Sequence, residues 1–210
     1  MTGSLRIIGG SWRGRRLAVP DLRDLRPSGD RVRETLFNWL QGRVHGRRCL
    51  DLFAGTGALG LEAASRGAAE VVLVERERKL VDALDRIATD WPGGEVLKPV
   101  RADALAWLET AAGPFDLVLA DPPFAAGCYA QLLARLARPG LLAADARIYL
   151  ESPARAAAPV ASATSPPSSA PCMAAELEPD EPTWTILREK IAGEVRMQLL
   201  AAATEPRATG

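Results

Sequence analysis

"LDLFAGTGALGLEA", residues 50–63, decides how this chain is read. An apolar run carrying an acid gives way to Gly55, Gly57 and Gly60, and then to an Ala- and Leu-rich segment. The pattern is a buried strand, a tight turn and a helix. Glycines in such a turn let the backbone approach a ligand closely, where the first N–H groups of the helix have no partner of their own. The G-x-G-x-x-G spacing by itself fits dinucleotides and other adenosine ligands alike. Asp51, four residues before Gly55, discriminates between them. A carboxylate repels a pyrophosphate but attracts the ammonium and sulfonium charges of S-adenosylmethionine. A loop-bracing Asp is the plainer alternative.

Strands and helices alternate on either side of that turn. "RCLDLF" (48–53) is followed by strands at "EVVLVE" (70–75), "VLKPVRAD" (96–103), "FDLVLA" (115–120) and "ARIYLES" (146–152). Between them, "RERKLVDALDRIATDW" (76–91), the run through Trp107 and Leu108, and "CYAQLLARLA" (128–137) have helical spacing. Continuous apolar strands separated by helices predict a parallel sheet covered on both faces. Residues 183–202 read as two strands around Ala192-Gly193, an antiparallel hairpin that completes seven strands. This α/β layout, a mostly parallel sheet closed by a C-terminal antiparallel hairpin, is that of Rossmann-like class I methyltransferases. The low-complexity Ala/Pro/Ser stretch at 153–182 breaks the pattern and is expected to be a mobile insertion.

Three more acids sit at strand ends. Glu75 can accept hydrogen bonds from both ribose hydroxyls of an adenosine ligand. Asp103 can take an adenine amino group while Ala104 offers its N–H, although a plain helix N-cap explains Asp103 equally well. Phe53 and Arg76, beside the same turns, join the candidate cofactor residues. Asp121 opens "DPPF" (121–124). Pro122 and Pro123 have no N–H and restrict the backbone, so the Asp121 carboxylate and adjacent carbonyls are aimed at one spot. Such acceptors hold an exocyclic amino group by its hydrogens, and Phe124 offers a flat face for a planar base. An aromatic amine is a poor nucleophile, so the site must orient it and take up a proton as the methyl group arrives.

The first fifty residues carry eleven Arg against four acids, whereas the whole chain is balanced at 26 basic and 26 acidic residues. A basic arm beside an acidic body is the pattern for meeting a polyanion. "LRIIGGSWRGRRLAVP" (5–20) reads as a hairpin displaying Trp12, Arg13, Arg15 and Arg16, and "DRVRETLFNWL" (30–40) as a helix with Arg31 and Arg33 off its apolar face. Residues 1–40 are therefore expected to form a basic extension of hairpin plus helix, and 41–210 the main domain. Three cysteines without a C-x-x-C pair and a single histidine argue against a disulfide framework or a metal site. With no secretion signal at the start and no unbroken apolar span, a soluble cytoplasmic protein is expected.

"RIIGGSWRGRRL", "LRPSGDRVRETLFNWL", "LDLFAGTGALGLEAASRGA", "DPPF" and "LREKIAGEV" together resemble the RsmD family, which methylates guanine N2 in 16S ribosomal RNA. The resemblance implies S-adenosylmethionine held by Asp51, Gly55, Gly57, Glu75 and Asp103, and catalysis around Asp121 to Phe124. It also implies 16S rRNA as partner, in an assembling or assembled small subunit, met by the first forty residues. Arg6, Trp12, Arg13, Arg15, Arg16, Arg26, Arg31 and Arg33 are the candidate contacts. "DPPF" is shared by amino-methyltransferases acting on adenine, cytosine, guanine or glutamine, so it fixes the chemistry and leaves the polymer open. DNA or protein methylation is the nearest rival, and a nicotinamide-dependent oxidoreductase a more distant one.

Overall fold

The computed structural model describes residues 4–18, 29–123, 127–160 and 184–202. Leu50, with its neighbours Cys49 and Leu52, lies wholly out of solvent in β3 (Arg48–Leu52), an interior strand of a seven-stranded sheet. β4 (Glu70–Glu75) and β5 (Leu97–Arg101) lie on one side of it; β6 (Phe115–Ala120) and β7 (Leu142–Pro153) lie on the other. These five strands are parallel. β8 (Trp184–Ala192) and β9 (Val195–Ala202) close the sheet as an antiparallel hairpin, with β9 against β7 and β8 at the edge. The expected sheet is therefore present.

Strand side chains alternate between two cores, as the two-residue period requires. Leu50, Val72, Val118 and Ile148 pack with Leu108 of α4 (Ala104–Thr110) and Leu132 and Leu136 of α5 (Tyr129–Leu136). Cys49, Leu73, Leu119 and Tyr149 face the other way, toward α2 (Ala58–Ser65) and Leu84 of α3 (Arg78–Asp90). The amino-terminal hairpin of β1 (Ser4–Arg6) and β2 (Arg16–Ala18) joins this second core through Leu5, Ile7, Trp12 and Leu17. So does α1 (Asp30–Trp39) through Val32, Leu36 and Phe37. The basic extension thus shares a continuous core with the sheet.

One buried acid holds that extension down. Glu62 of α2, fully out of solvent, accepts from the N–H groups of Ile8 (2.9 Å) and Gly9 (2.8 Å) and from Arg33 and Arg66. One turn further on, Ser65 accepts from Trp12 N at 2.9 Å, and its carbonyl accepts from Ser11 N at 2.7 Å. Gly10 is required here: its φ is +76°, and a Cβ would fall 1.8 Å from that carbonyl oxygen.

The Ala/Pro/Ser stretch departs from its expected form at its start. Pro153 ends β7, and the following turn is tied to the closing hairpin. Ala154 N donates to Glu194 O at 2.8 Å, Arg196 donates to Ala154 O and Ala156 O, and Gln198 Nε2 donates to Val160 O at 2.9 Å. The expected mobile insertion otherwise falls on residues 161–182, outside the described residues.

Candidate active site

The chain runs from β3 outward to β4 and β5, then returns to β6 on the other side of β3. Such a reversal of strand order opens a crevice beyond the carboxyl ends of the two strands, the usual ligand site of open α/β sheets. Glu75 ends β4, Asp103 follows β5 and Asp121 follows β6, all at that edge of the sheet.

The turn after β3 is left-handed at three places: Phe53 (φ +63°), Gly55 (+56°) and Gly57 (+79°). A non-glycine residue in that region stores about 1–3 kcal/mol of strain, and such strain persists where the surroundings over-determine it. Here they do. Ala54 N donates to Val74 O at 2.9 Å, and Gly55 N donates to Glu75 Oε2 at 2.9 Å. The other Glu75 oxygen accepts from Glu77 N at 2.8 Å, so one carboxylate at the end of β4 braces two loops. Each of its oxygens keeps a second lone pair for a hydroxyl. Arg76 follows and is exposed.

Asp51 is a buried residue of β3. It is 2% exposed and its Oδ2 accepts from Gly60 N at 2.7 Å, so it braces α2 from beneath. A Cβ on Gly60 would come within 2.4 Å of Leu73 and 2.8 Å of Asp51 Oδ2. The third glycine of the motif therefore serves close helix–strand packing. Burial pushes the Asp51 carboxyl up to about 8; the Gly60 N–H opposes this, and the charges of Asp121 and Glu75 add to it. The bracing alternative describes this contact, which holds the start of α2 against β3.

Asp121 follows the last residue of β6, whose Ala120 pairs with Leu52 on one side and Leu150 on the other. It is half-buried, Pro122 is buried and Pro123 exposed. Phe124 lies outside the described residues. Asp103 is exposed and caps α4, its Oδ1 accepting from Ala106 N at 3.0 Å, while Ala104 is buried. Cys128, just before α5, has its thiol pushed up first by burial and in smaller part by the Asp103 charge, against a backbone hydrogen bond that lowers it.

Sequence reasoning passed over the far wall. Tyr149 and Glu151 on β7 are 0% and 2% exposed, and the Tyr149 hydroxyl donates to Glu151 Oε1 at 2.8 Å. The available signal was a hydroxyl and an acid two residues apart in "IYLES" (148–152), hence on one side of the strand.

On the basic face, Arg6, Arg13, Arg16 and Arg31 are exposed. Arg15 is half-buried, its guanidinium 4.8 Å from the Trp91 ring centroid. Arg26 lies outside the described residues. Two expected contacts are corrected. Trp12 is 3% exposed, edge-on to Trp91 at 5.2 Å, with Nε1 donating to Pro92 O at 2.8 Å; the indole anchors the hairpin. Arg33 is fully buried, donating to Arg6 O at 3.0 Å, to Asp30 at 2.6 Å and to Glu62. Its position one turn before Phe37 puts it on the packed side of α1.

Among the described residues no helix is long and apolar enough to cross a membrane. No group of three or more His, Cys, Asp or Glu among them could hold a metal ion.

Comparison with known proteins agrees with this arrangement. A family model described as "Conserved hypothetical protein 95" matches residues 5–165. The chain is 40% identical over 198 residues to ribosomal RNA small subunit methyltransferase D of Escherichia coli K12, covering 94% of this chain and 90% of the relative. It is 36% identical over 205 residues to the Haemophilus influenzae protein of the same name, covering 94% and 93%. The solved structure of yhhF from Escherichia coli superposes with a TM-score of 0.76 at 40% identity, covering 94% of this chain and 97% of that one. The sheet order, the closing hairpin and these matches agree on a class I methyltransferase, and the chain belongs to the conserved hypothetical protein 95 family, the RsmD family.

Proposed function

We propose that the protein transfers a methyl group from S-adenosylmethionine to the exocyclic N2 amino group of a guanine in 16S rRNA, acting in the cytoplasm on an assembling or assembled small subunit. The observation that carries this reading is an acid-lined crevice, with Glu75 at the end of β4, Asp103 after β5 and Asp121 after β6 at the same edge of the sheet. Such a crevice suits a cationic ligand and disfavours the pyrophosphate of a nicotinamide cofactor. The donor set fits S-adenosylmethionine, with the left-handed turn and the α2 N–H groups for the amino-acid end, Glu75 for ribose, and Asp103 with Ala104 for adenine. When bound, the group supplies an electrophilic methyl on a sulfonium.

Asp121 accepts the hydrogens of the target amino group, turns its lone pair toward the methyl and takes up the released proton. Pro122 and Pro123 keep that acceptor rigid, and Phe124 stacks on the flipped-out base, whose extrusion costs a few kcal/mol. Arg6, Arg13, Arg16 and Arg31 meet phosphates.

The relatives' names support an rRNA substrate. The deciding experiment maps methylated nucleotides of 16S rRNA by mass spectrometry in cells lacking the protein. One missing N2-methylguanine is expected; an unaltered methyl pattern overturns the reading. Parallel assays with subunits, naked DNA and peptides as acceptors separate the DNA and protein alternatives.

A further inference from the structure

We propose that Glu151, held by Tyr149, is a positioning residue for the transfer: its charge keeps the neighbouring Asp121 carboxylate ready to take up the proton that the target amino group releases. The inference rests on the reading of Asp121 given above and adds a residue that the sequence motifs did not indicate.

The adjacency comes from strand register. β6 and β7 run parallel with Leu119 beside Tyr149 and Ala120 beside Leu150; continued one residue past the end of β6, that register sets Asp121 beside Glu151. Neighbouring strands lie about 4.8 Å apart, and residues two apart project to the same side. Tyr149 and Glu151 therefore share one side of β7, and Asp121 continues that side on β6. Glu151 is buried to 2% exposure, and Met197, its cross-strand partner on β9, is hydrophobic. A buried acid in that setting costs stability that an apolar residue would not. Tyr149 offsets part of this by donating to Oε1 at 2.8 Å, and a donated hydrogen bond favours the ionised form.

Among the described residues, two tyrosines place both acids in one cluster. Burial raises the Tyr149 hydroxyl well above its usual range, and the charges of Glu151 and Asp121 add to that. The Tyr129 hydroxyl at the start of α5 is pushed up to about 12, first by burial and then by Cys128, Asp121 and Glu151. From β3, Asp51 interacts with Asp121.

The chemistry gives the arrangement a use. As the amino nitrogen forms its bond to the methyl carbon, the carbon–sulfur bond breaks and sulfur keeps the electron pair. The nitrogen then gives up one proton, its N–H pair remaining on nitrogen, to an Asp121 oxygen, from which it passes to water. A fixed negative charge one strand away favours the protonated form of Asp121 and so draws the proton off.

The test uses the full-length protein with Glu151→Gln, Glu151→Asp and Tyr149→Phe. Two quantities are read: the acid limb of the kcat/KM–pH profile with small subunits as acceptor, and the titration midpoint of the Asp121 carboxyl followed by carbon-13 NMR in the free protein. Glu151→Gln is expected to move both to lower pH by about one unit. Tyr149→Phe should move them the same way by less, and Glu151→Asp should stay near wild type, with S-adenosylmethionine affinity unchanged in all three. A folded Glu151→Gln protein with both readings unmoved overturns the proposal. Should that variant fail to fold, an unmoved NMR midpoint in Tyr149→Phe does the same. Wild-type turnover in Asp121→Ala would instead overturn the role given to Asp121, a failure the NMR midpoint keeps separate.

Discussion

The Arg33 guanidinium lies 3.4 Å from the Glu62 carboxylate, and neither side chain meets solvent. Glu62 belongs to α2, the helix that opens on the glycine turn, and the same carboxylate holds Ile8 and Gly9 of the hairpin. The basic extension and the turn are thus opposite ends of one packed unit. Each keeps other partners, Glu62 with Arg66 and Arg33 with Asp30, but loses a buried charge-assisted bond, so Arg33→Ala and Glu62→Ala should each lose about 1.5–3 kcal/mol of stability. Because the two share one interaction, the double variant should lose less than the two losses added together. Urea denaturation reads all three, and a loss below about 1 kcal/mol in both single variants would refute the account.

The surface arginines should behave oppositely. Replacing Arg13, Arg16 and Arg31 with Ala should leave stability nearly unchanged and flatten the salt dependence of rRNA binding, by about one unit of log–log slope for each phosphate no longer neutralised. Trp12→Ala should instead cost about 3–5 kcal/mol of stability, because the indole is packed against Trp91 and bonded to Pro92. Filter binding across a salt series, beside denaturation curves, separates the two groups. A larger change of salt slope for Trp12→Ala than for the arginine variants would contradict the burial of the indole.

Asp51 makes stability depend on pH with a definite sign. Its folded carboxyl, near 8, binds a proton more tightly than the ordinary value of 3.8 allows in the unfolded chain. Its contribution is therefore fully present below about pH 4 and is lost as pH rises toward 8. Asp51→Asn keeps an acceptor for Gly60 N without the charge. The variant's Tm relative to wild type should rise between pH 5.5 and pH 8.5, and calorimetry should show weaker S-adenosylmethionine binding. A Tm difference that is flat or falling across that range would count against a proton-binding Asp51.

Asp121→Ala should abolish methyl transfer, a loss of at least about a hundredfold, the low end for a positioned general base. Equilibrium binding of S-adenosylmethionine should survive within a few-fold, because Asp121 serves the acceptor. Single-turnover assays and calorimetry on the same preparation check both halves. Loss of binding in step with activity would move Asp121 to the cofactor side of the crevice.

Much of this protein was legible in the chain itself. Period-two and helical spacing, with glycines after an apolar strand, were sufficient for the sheet, its closing hairpin and the crevice, because these patterns are local. Asp103 as an N-cap and the hairpin at Gly193 followed from the same local rules. Roles that depend on distant partners were not legible. "DRVRETLF" gives no sign that Arg33 turns inward, since Glu62 lies 29 residues away and is brought opposite only when α1 packs on α2. Trp12 looked displayed because Pro92 and Trp91, which cover it, are about eighty residues on. Glu151 went unnoticed because only the parallel pairing of β6 with β7 sets it beside Asp121. The chain alone determines which segments are strand, turn and helix, since backbone preference and hydrophobic period act over a few residues. The tertiary structure decides which charges are neighbours and which are buried, since electrostatic energy depends on distance and desolvation through space.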